Sequence, residues 1–210
     1  MKIYQFYLDS YQADWIFRPI RSKKDSLVIL MRAMKIMAIN EKLADDLRKG
    51  TLFLRVDKMS RLFFASERKI FSINFPFSVS EIDGVLFFKS HSHPDVDNQA
   101  TSEILALIDS AKVFESTDFI EFMDPVDDAC VMDNRLWGLL RDLLTSEDGY
   151  IRYDFDAEHE DGHRHPLHHL DIFYSTSTTF KLGLSKAIDH QYFADVLTLS
   201  TDCHYLEPAR

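Results

Sequence analysis

Histidines and carboxylates crowd one stretch of this chain, Gly149 to Leu184. Five of the nine histidines fall there between His159 and His169, among Arg152, Asp154, Asp156, Glu158, Glu160, Asp161 and Asp171. An imidazole exchanges a proton near neutral pH, and imidazole nitrogen with carboxylate oxygen is a common donor set for divalent cations. The run from Ile151 to Asp156 alternates, so a strand there puts Arg152, Asp154 and Asp156 on one face and Ile151, Tyr153 and Phe155 on the other. After the polar segment 157–165, Pro166 restricts the backbone, and a second alternating run sets His169, Asp171 and Phe173 against Leu170, Ile172 and Tyr174. If the two strands are neighbours, Asp154, Asp156, His169 and Asp171 form an oxygen and imidazole ligand set suited to Mg, Mn or Zn.

Such an ion binds a phosphodiester and activates a water, with Arg152 stabilising the charge that develops. Arg152, Asp154, Asp156, His165 and His168 are therefore the candidate catalytic residues. The same residues also suit an ion-pair network in which Arg152 bridges Asp154 or Asp171 while His165 and His168 cap loop carbonyls. Glu158, Glu160, Asp161 and His163 are expected to face solvent.

A second cluster, His91-Ser92-His93-Pro94, resembles the H-S-H-P core of the JAMM/JAB metalloproteases. In that family the two histidines and a later aspartate hold zinc. Here Thr101 stands at the family's serine position and Ile104 at its aspartate position, so the resemblance stops short of a ligand. Arg164 to His169 matches the R-H-x-x-x-H spacing of HEPN ribonucleases, but those motifs lie on a helix, which Pro166 disfavours. Glu67-Arg68-Lys69 gives an isolated E-x-K of the PD-(D/E)xK nuclease type. The motifs R-Y-D-F-D, H-P-L-H-H-L-D-I and F-K-L-G-L resemble an uncharacterised prokaryotic family with R-Y-D-x-D and H-P-x-x-H-L in its C-terminal half. That resemblance implies a bacterial cytosolic protein, an accessory of defence or mobile-element loci, and carries no assigned reaction.

Several elements must position these residues. Aromatic-rich residues 2–21 hold a strand or short helix, and Asp25-Ser26 caps a helix with Leu27, Leu30, Met31, Met34 and Met37 on one face. Asn40 recaps a turn that Gly50 closes. Short apolar runs at 52–56, 61–64, 69–75 and 85–88, separated by turn residues, predict an antiparallel meander. A helix opens at Thr101 or Ser102, a strand spans Phe119–Phe122, and Asp133 caps a helix carrying Leu136, Trp137, Leu139, Leu140, Leu143 and Leu144. Tyr150–Phe155, Leu170–Tyr174 and Phe180–Leu184 are strands, the last two a hairpin, and a final helix begins at Asp189. The fold class is α+β, a mostly antiparallel sheet flanked by four to five helices, in one domain over residues 1–210.

Composition narrows the function classes. With 46% hydrophobic and 13% aromatic residues in 210, the chain buries a core of ordinary size and is neither disordered nor low in complexity. No apolar run reaches the roughly 18 residues of a membrane span, and the first residues lack an apolar signal core, so a cytoplasmic protein is expected. Cys130 and Cys203, far apart, predict packed, reduced thiols. The net charge of −10 is uneven: residues 1–70 carry 15 Lys plus Arg against 8 Asp plus Glu, and residues 71–210 carry 9 against 26. The basic third offers a surface to nucleic acid, and the split as a whole fits assembly with a protein partner or a second copy. No glycine-rich phosphate loop is present, so no nucleotide cofactor is expected. Two functions follow: a divalent-metal-dependent hydrolase of phosphodiesters, or a non-enzymatic partner subunit in which the cluster is structural.

Overall fold

The computed structural model describes residues 1–109, 114, 134–162, 164–175 and 178–205. The fold is α+β, with five helices, a seven-stranded antiparallel sheet and a separate two-stranded hairpin among the described residues. Two compact units divide the chain. The first holds Met1–Pro19, Lys42–Phe75 and Gly149–Arg210, and the second holds Ile20–Glu41 and Pro76–Asp148.

The first unit is the sheet. Its strands are β1 (Lys2–Leu8), β2 (Gly50–Val56), β3 (Arg61–Ala65), β4 (Lys69–Asn74), β7 (Ile151–Phe155), β8 (His168–Ser175) and β9 (Thr178–Gly183), in spatial order β1-β2-β3-β4-β7-β8-β9. Every neighbour is antiparallel, so the meander read from the sequence holds through β2, β3 and β4, and β7 resumes it beside β4. One face carries Phe63, Ile70, Tyr153 and Leu170, buried together with Phe193 of the short helix α5 (His190–Val196). Asp189 caps α5 by accepting from the Tyr192 N–H at 2.8 Å, as its residue type predicts. The other face buries Leu52, Leu54, Leu62, Phe64, Phe71 and Ile73. There Phe17, just past helix α1 (Ser10–Ile16), sets its ring edge on Phe71 at 5.8 Å. Central strands covered on both faces read as continuous apolar runs, which is why Leu62-Phe63-Phe64 does not alternate.

The second unit contains α2 (Lys23–Ile39), the hairpin β5 (Ser78–Ile82) and β6 (Val85–Lys89), α3 (Asn98–Asp109) and α4 (Asn134–Thr145). Leu27, Leu30, Met31, Met34 and Met37 are buried on α2, which packs on α3, so the methionines serve as core.

Several boundaries differ from the sequence reading. Ser22, not Asp25 or Ser26, caps α2; Asp25 is the N3 partner of a capping box that begins three residues earlier. Asn40 ends that helix in the left-handed conformation at φ 46° instead of starting another, and Gly50 opens β2. The run at 85–88 pairs with β5 in its own hairpin and is not part of the large sheet. The helix expected from Thr101 begins at Asn98. Cys203 is exposed, not packed. Cys130, the strand at Phe119–Phe122 and the cap at Asp133 lie outside the described residues.

Phe193 is fully buried and its ring meets Phe63 edge-on at 6.2 Å. Phe193→Ala removes the piece of α5 that seals this face, and denaturant unfolding is expected to show a loss of about 3–5 kcal/mol.

Candidate metal centre

Strand pairing delivers the cluster. β7 and β8 are in register with Arg152 opposite Asp171 and Asp154 opposite His169, and β9 places Lys181 opposite Asp171. Alternation then puts Arg152, Asp154, His169, Asp171 and Lys181 on one face, while Tyr153, Leu170 and Leu182 enter the apolar core behind. Asp154, His169 and Asp171 each offer a ligand atom, and these atoms lie within 4.8 Å of one another. This group could hold a metal ion. His169 Nε2 is 3.9 Å from Asp154 Oδ2 and 3.8 Å from Asp171 Oδ1. Two atoms bound to one ion at about 2.1 Å stand at most about 4.2 Å apart, so both spacings are within reach of a shared cation.

The protonation of His169 follows from its partners. Its Nδ1 lies 2.7 Å from the Pro166 carbonyl, which only accepts, so Nδ1 carries the proton and Nε2 presents its lone pair to the cluster. A backbone carbonyl holding the far ring nitrogen is the usual support of a metal-ligating histidine. Pro166 reaches this position because β9 ends in Gly183, where a Cβ would stand 2.9 Å from the proline Cγ.

The chain's own cations fill the space between these ligands. Lys181 Nζ donates to His169 Nε2 at 2.9 Å and to Asp171 Oδ1 at 2.7 Å. The Arg152 guanidinium is shared between Asp154 and Asp171. Burial works against that guanidinium, yet the charges of Tyr150, Asp154 and Asp171 outweigh it and raise its pKa. Asp171 is 4% exposed and His169 1%. Removing one charge from a buried pair costs about 3–5 kcal/mol, reduced here by the partial exposure of Arg152 and Lys181.

Two further groups border the cluster. Tyr150 stacks on Phe173 at 4.2 Å, and burial pushes its phenol up to about 12. Lys69, opposite Asp154 on β4, donates to the carbonyls of Phe17 at 2.9 Å and Arg18 at 3.3 Å. Its pKa is lowered to about 8, first by burial and then by Arg152, against the opposing pull of Asp154.

Of the residues singled out in the sequence, Arg152, Asp154, His169 and Asp171 are brought together. Asp156 stands apart because β7 ends at Phe155. Its carboxylate accepts from the His159 N–H at 3.1 Å and lies 3.2 Å from His165 Nε2, out of hydrogen-bond alignment. Partial burial raises the Asp156 pKa, but the His159 hydrogen bonds and the neighbouring imidazoles outweigh it and leave it lowered. His165 touches the cluster through its ring, edge-on to His169 at 4.8 Å. His168 lies on the opposite face, its Nδ1 3.0 Å from the Tyr153 hydroxyl. His163 falls outside the described residues. Lys69 enters the sequence reading only through the isolated E-x-K motif, and Lys181 is not identified there, although period two in F-K-L-G-L points Lys181 to the face of Asp171 once the hairpin is assumed.

The H-S-H-P segment forms a turn against α4. Asp142 accepts from the Ser90 hydroxyl at 2.8 Å, the Ser92 N–H at 2.7 Å and the Ser92 hydroxyl at 3.0 Å. Gly138 leaves the space that the Ser92 side chain fills, since a Cβ there would lie 2.6 Å from it. His93 is buried and His91 exposed, and neither belongs to a candidate metal group among the described residues.

No protein-family model matches the chain, and comparison with curated proteins and with solved structures finds no match. Among the described residues no helix is long and apolar enough to cross a membrane.

Lys69 gives a pH signature. The unfolded chain keeps this proton to about 10.5 and the folded one releases it near 8. The unfolded state therefore binds more protons across that window, and Lys69's contribution to stability rises with pH from about 8 to about 10.5. NMR titration of labelled lysines is expected to find one amine with a midpoint of about 8 that disappears in Lys69→Met.

Proposed function

We propose that this chain is a divalent-metal-dependent hydrolase of phosphodiesters, with Asp154, His169 and Asp171 as the ligands. One observation carries this reading: the His169 Nε2 lone pair and the buried Asp171 carboxylate already hold a cation, the Lys181 ammonium, with the part-buried Asp154 carboxylate within ligand distance of both. The Lys181 side chain is 31% exposed on a flexible stem, so it can leave to solvent as a metal enters. Nitrogen with carboxylate oxygens accommodates Mn and Zn, and Mg through the carboxylates.

Charge supports the substrate class. Arg152 and Lys181 balance Asp154 and Asp171; exchange of Lys181 for a divalent ion leaves a positive excess, which an anionic phosphodiester offsets. The metal would polarise the phosphoryl oxygen and acidify a bound water. Arg152 orients both carboxylates. His165, edge-on to His169 and beside Asp156, would take the proton as the water oxygen attacks phosphorus and return it to the alkoxide oxygen that leaves when the P–O ester bond breaks.

A second reading is favoured by the completeness of the ion pairs. Arg152 and Lys181 already neutralise both carboxylates, which suits a non-enzymatic partner subunit, such as a bacterial defence accessory, whose cluster locks three strands together.

Calorimetric titration of the wild type and Lys181→Met with Mn²⁺ and Zn²⁺ separates the two, with hydrolysis of bis(p-nitrophenyl) phosphate as the activity readout. The hydrolase reading predicts one ion per chain, about tenfold tighter binding in Lys181→Met because a competitor of the metal is gone, and loss of binding and turnover in a folded Asp154→Asn. Failure of both proteins to bind either ion, with Lys181→Met reduced in thermal stability, supports the ion-pair lock and contradicts the hydrolase.

A further inference from the structure

The face of the sheet opposite the cluster carries an open cleft of about 450 Å³, lined by Ile70, Tyr153, Phe155, His168, Ile188 and His190. Its size lies within the roughly 300–1,000 Å³ of small-molecule sites. Rings of Tyr153, Phe155, His168 and His190 line it. Phe155, which ends β7, is 44% exposed and stacks with its cross-strand neighbour His168 at 5.3 Å and 28°. His190 lies parallel to Phe53 at 4.9 Å and 5°. An exposed aromatic ring backed by a second ring is a ready platform for a planar ligand.

The polar groups are ordered as well. The Tyr153 hydroxyl lies 3.0 Å from His168 Nδ1 and hydrogen-bonds it. With Nδ1 engaged there, Nε2 is the ring nitrogen left to hydrogen-bond a ligand, in a direction the protein sets. The other ionisable groups lining the cleft are Glu67 and Asp189, with Lys69, whose ammonium is engaged by the Phe17 and Arg18 carbonyls. Two carboxylates without a free ammonium disfavour an anion. We infer that the cleft binds a small planar heteroaromatic ligand of nucleobase type, uncharged or cationic, stacked on Phe155 and hydrogen-bonded by His168. This site does not depend on whether the Asp154, His169 and Asp171 group takes a metal.

Adenosine, cytidine and AMP titrated into the full-length protein, followed by NMR of labelled His and Phe rings, test it. Saturable binding of at least one nucleoside is expected, with shifts at His168 and Phe155, weaker binding of AMP, and about tenfold weaker nucleoside binding in Phe155→Ala. Phe155 is part-exposed, so that variant keeps its core, and circular dichroism checks this; His168→Gln provides an independent second variant. The inference is overturned if neither nucleoside saturates at millimolar concentration. It is equally overturned by binding that both variants leave unchanged, or by AMP binding more tightly than adenosine.

Discussion

A buried carboxylate beside a part-buried one on the same face of a sheet must have cations within reach, and the last three strands of this protein are arranged around that requirement. Asp171 is nearly inaccessible, and an ionised group so placed persists only if paired. The pairing comes from both neighbouring strands, Arg152 on β7 and Lys181 on β9, each directly opposite Asp171 in the ladder. A one-residue slip of β8 would send His169 and Asp171 into the apolar core behind Phe193. Charge and hydrophobic burial therefore select the same register, with the penalty for error rising on both faces at once.

The same arrangement gives the cluster its ambivalence. An imidazole lone pair and two carboxylates within ligand distance of one another could hold a metal ion, and the same residues form an ion-pair hub, with Lys181 on His169 and Asp171 and Arg152 on both carboxylates. The Pro166 carbonyl fixes the His169 tautomer for either arrangement, since it leaves the Nε2 lone pair to a metal or to the Lys181 ammonium. Gly183 and the turn at Pro166 provide that fixation, so chain geometry some distance from the charges decides what the charges can do.

Much of this was readable in the residue order. Alternation in β7 and β8 separated Arg152, Asp154, His169 and Asp171 from the apolar residues between them, because side-chain period is a local property of a strand. The adjacency of those strands was assumed and is found. Asp156 was grouped with Asp154 because period two has no marker for where a strand stops, and β7 stops one residue before it. His168 is set beside His165 in the sequence as a residue of the Pro166 turn, but β8 already begins at His168 and turns it to the face opposite His169. Lys181 escaped notice since a single lysine in a strand resembles a solvated side chain until its partner across the ladder is known. The insertion of residues between β4 and β7 was equally invisible, as nothing in composition marks where one compact unit interrupts another.

The central claim is that His169 Nε2 and the two carboxylates form a cation site. Pulsed electron paramagnetic resonance of protein loaded with Mn²⁺ tests it at the atom concerned. The account predicts one bound Mn²⁺ per chain with hyperfine coupling to a single imidazole nitrogen, retained in Lys181→Met and absent from His169→Gln. Manganese that shows no imidazole coupling in either the wild type or Lys181→Met would contradict it.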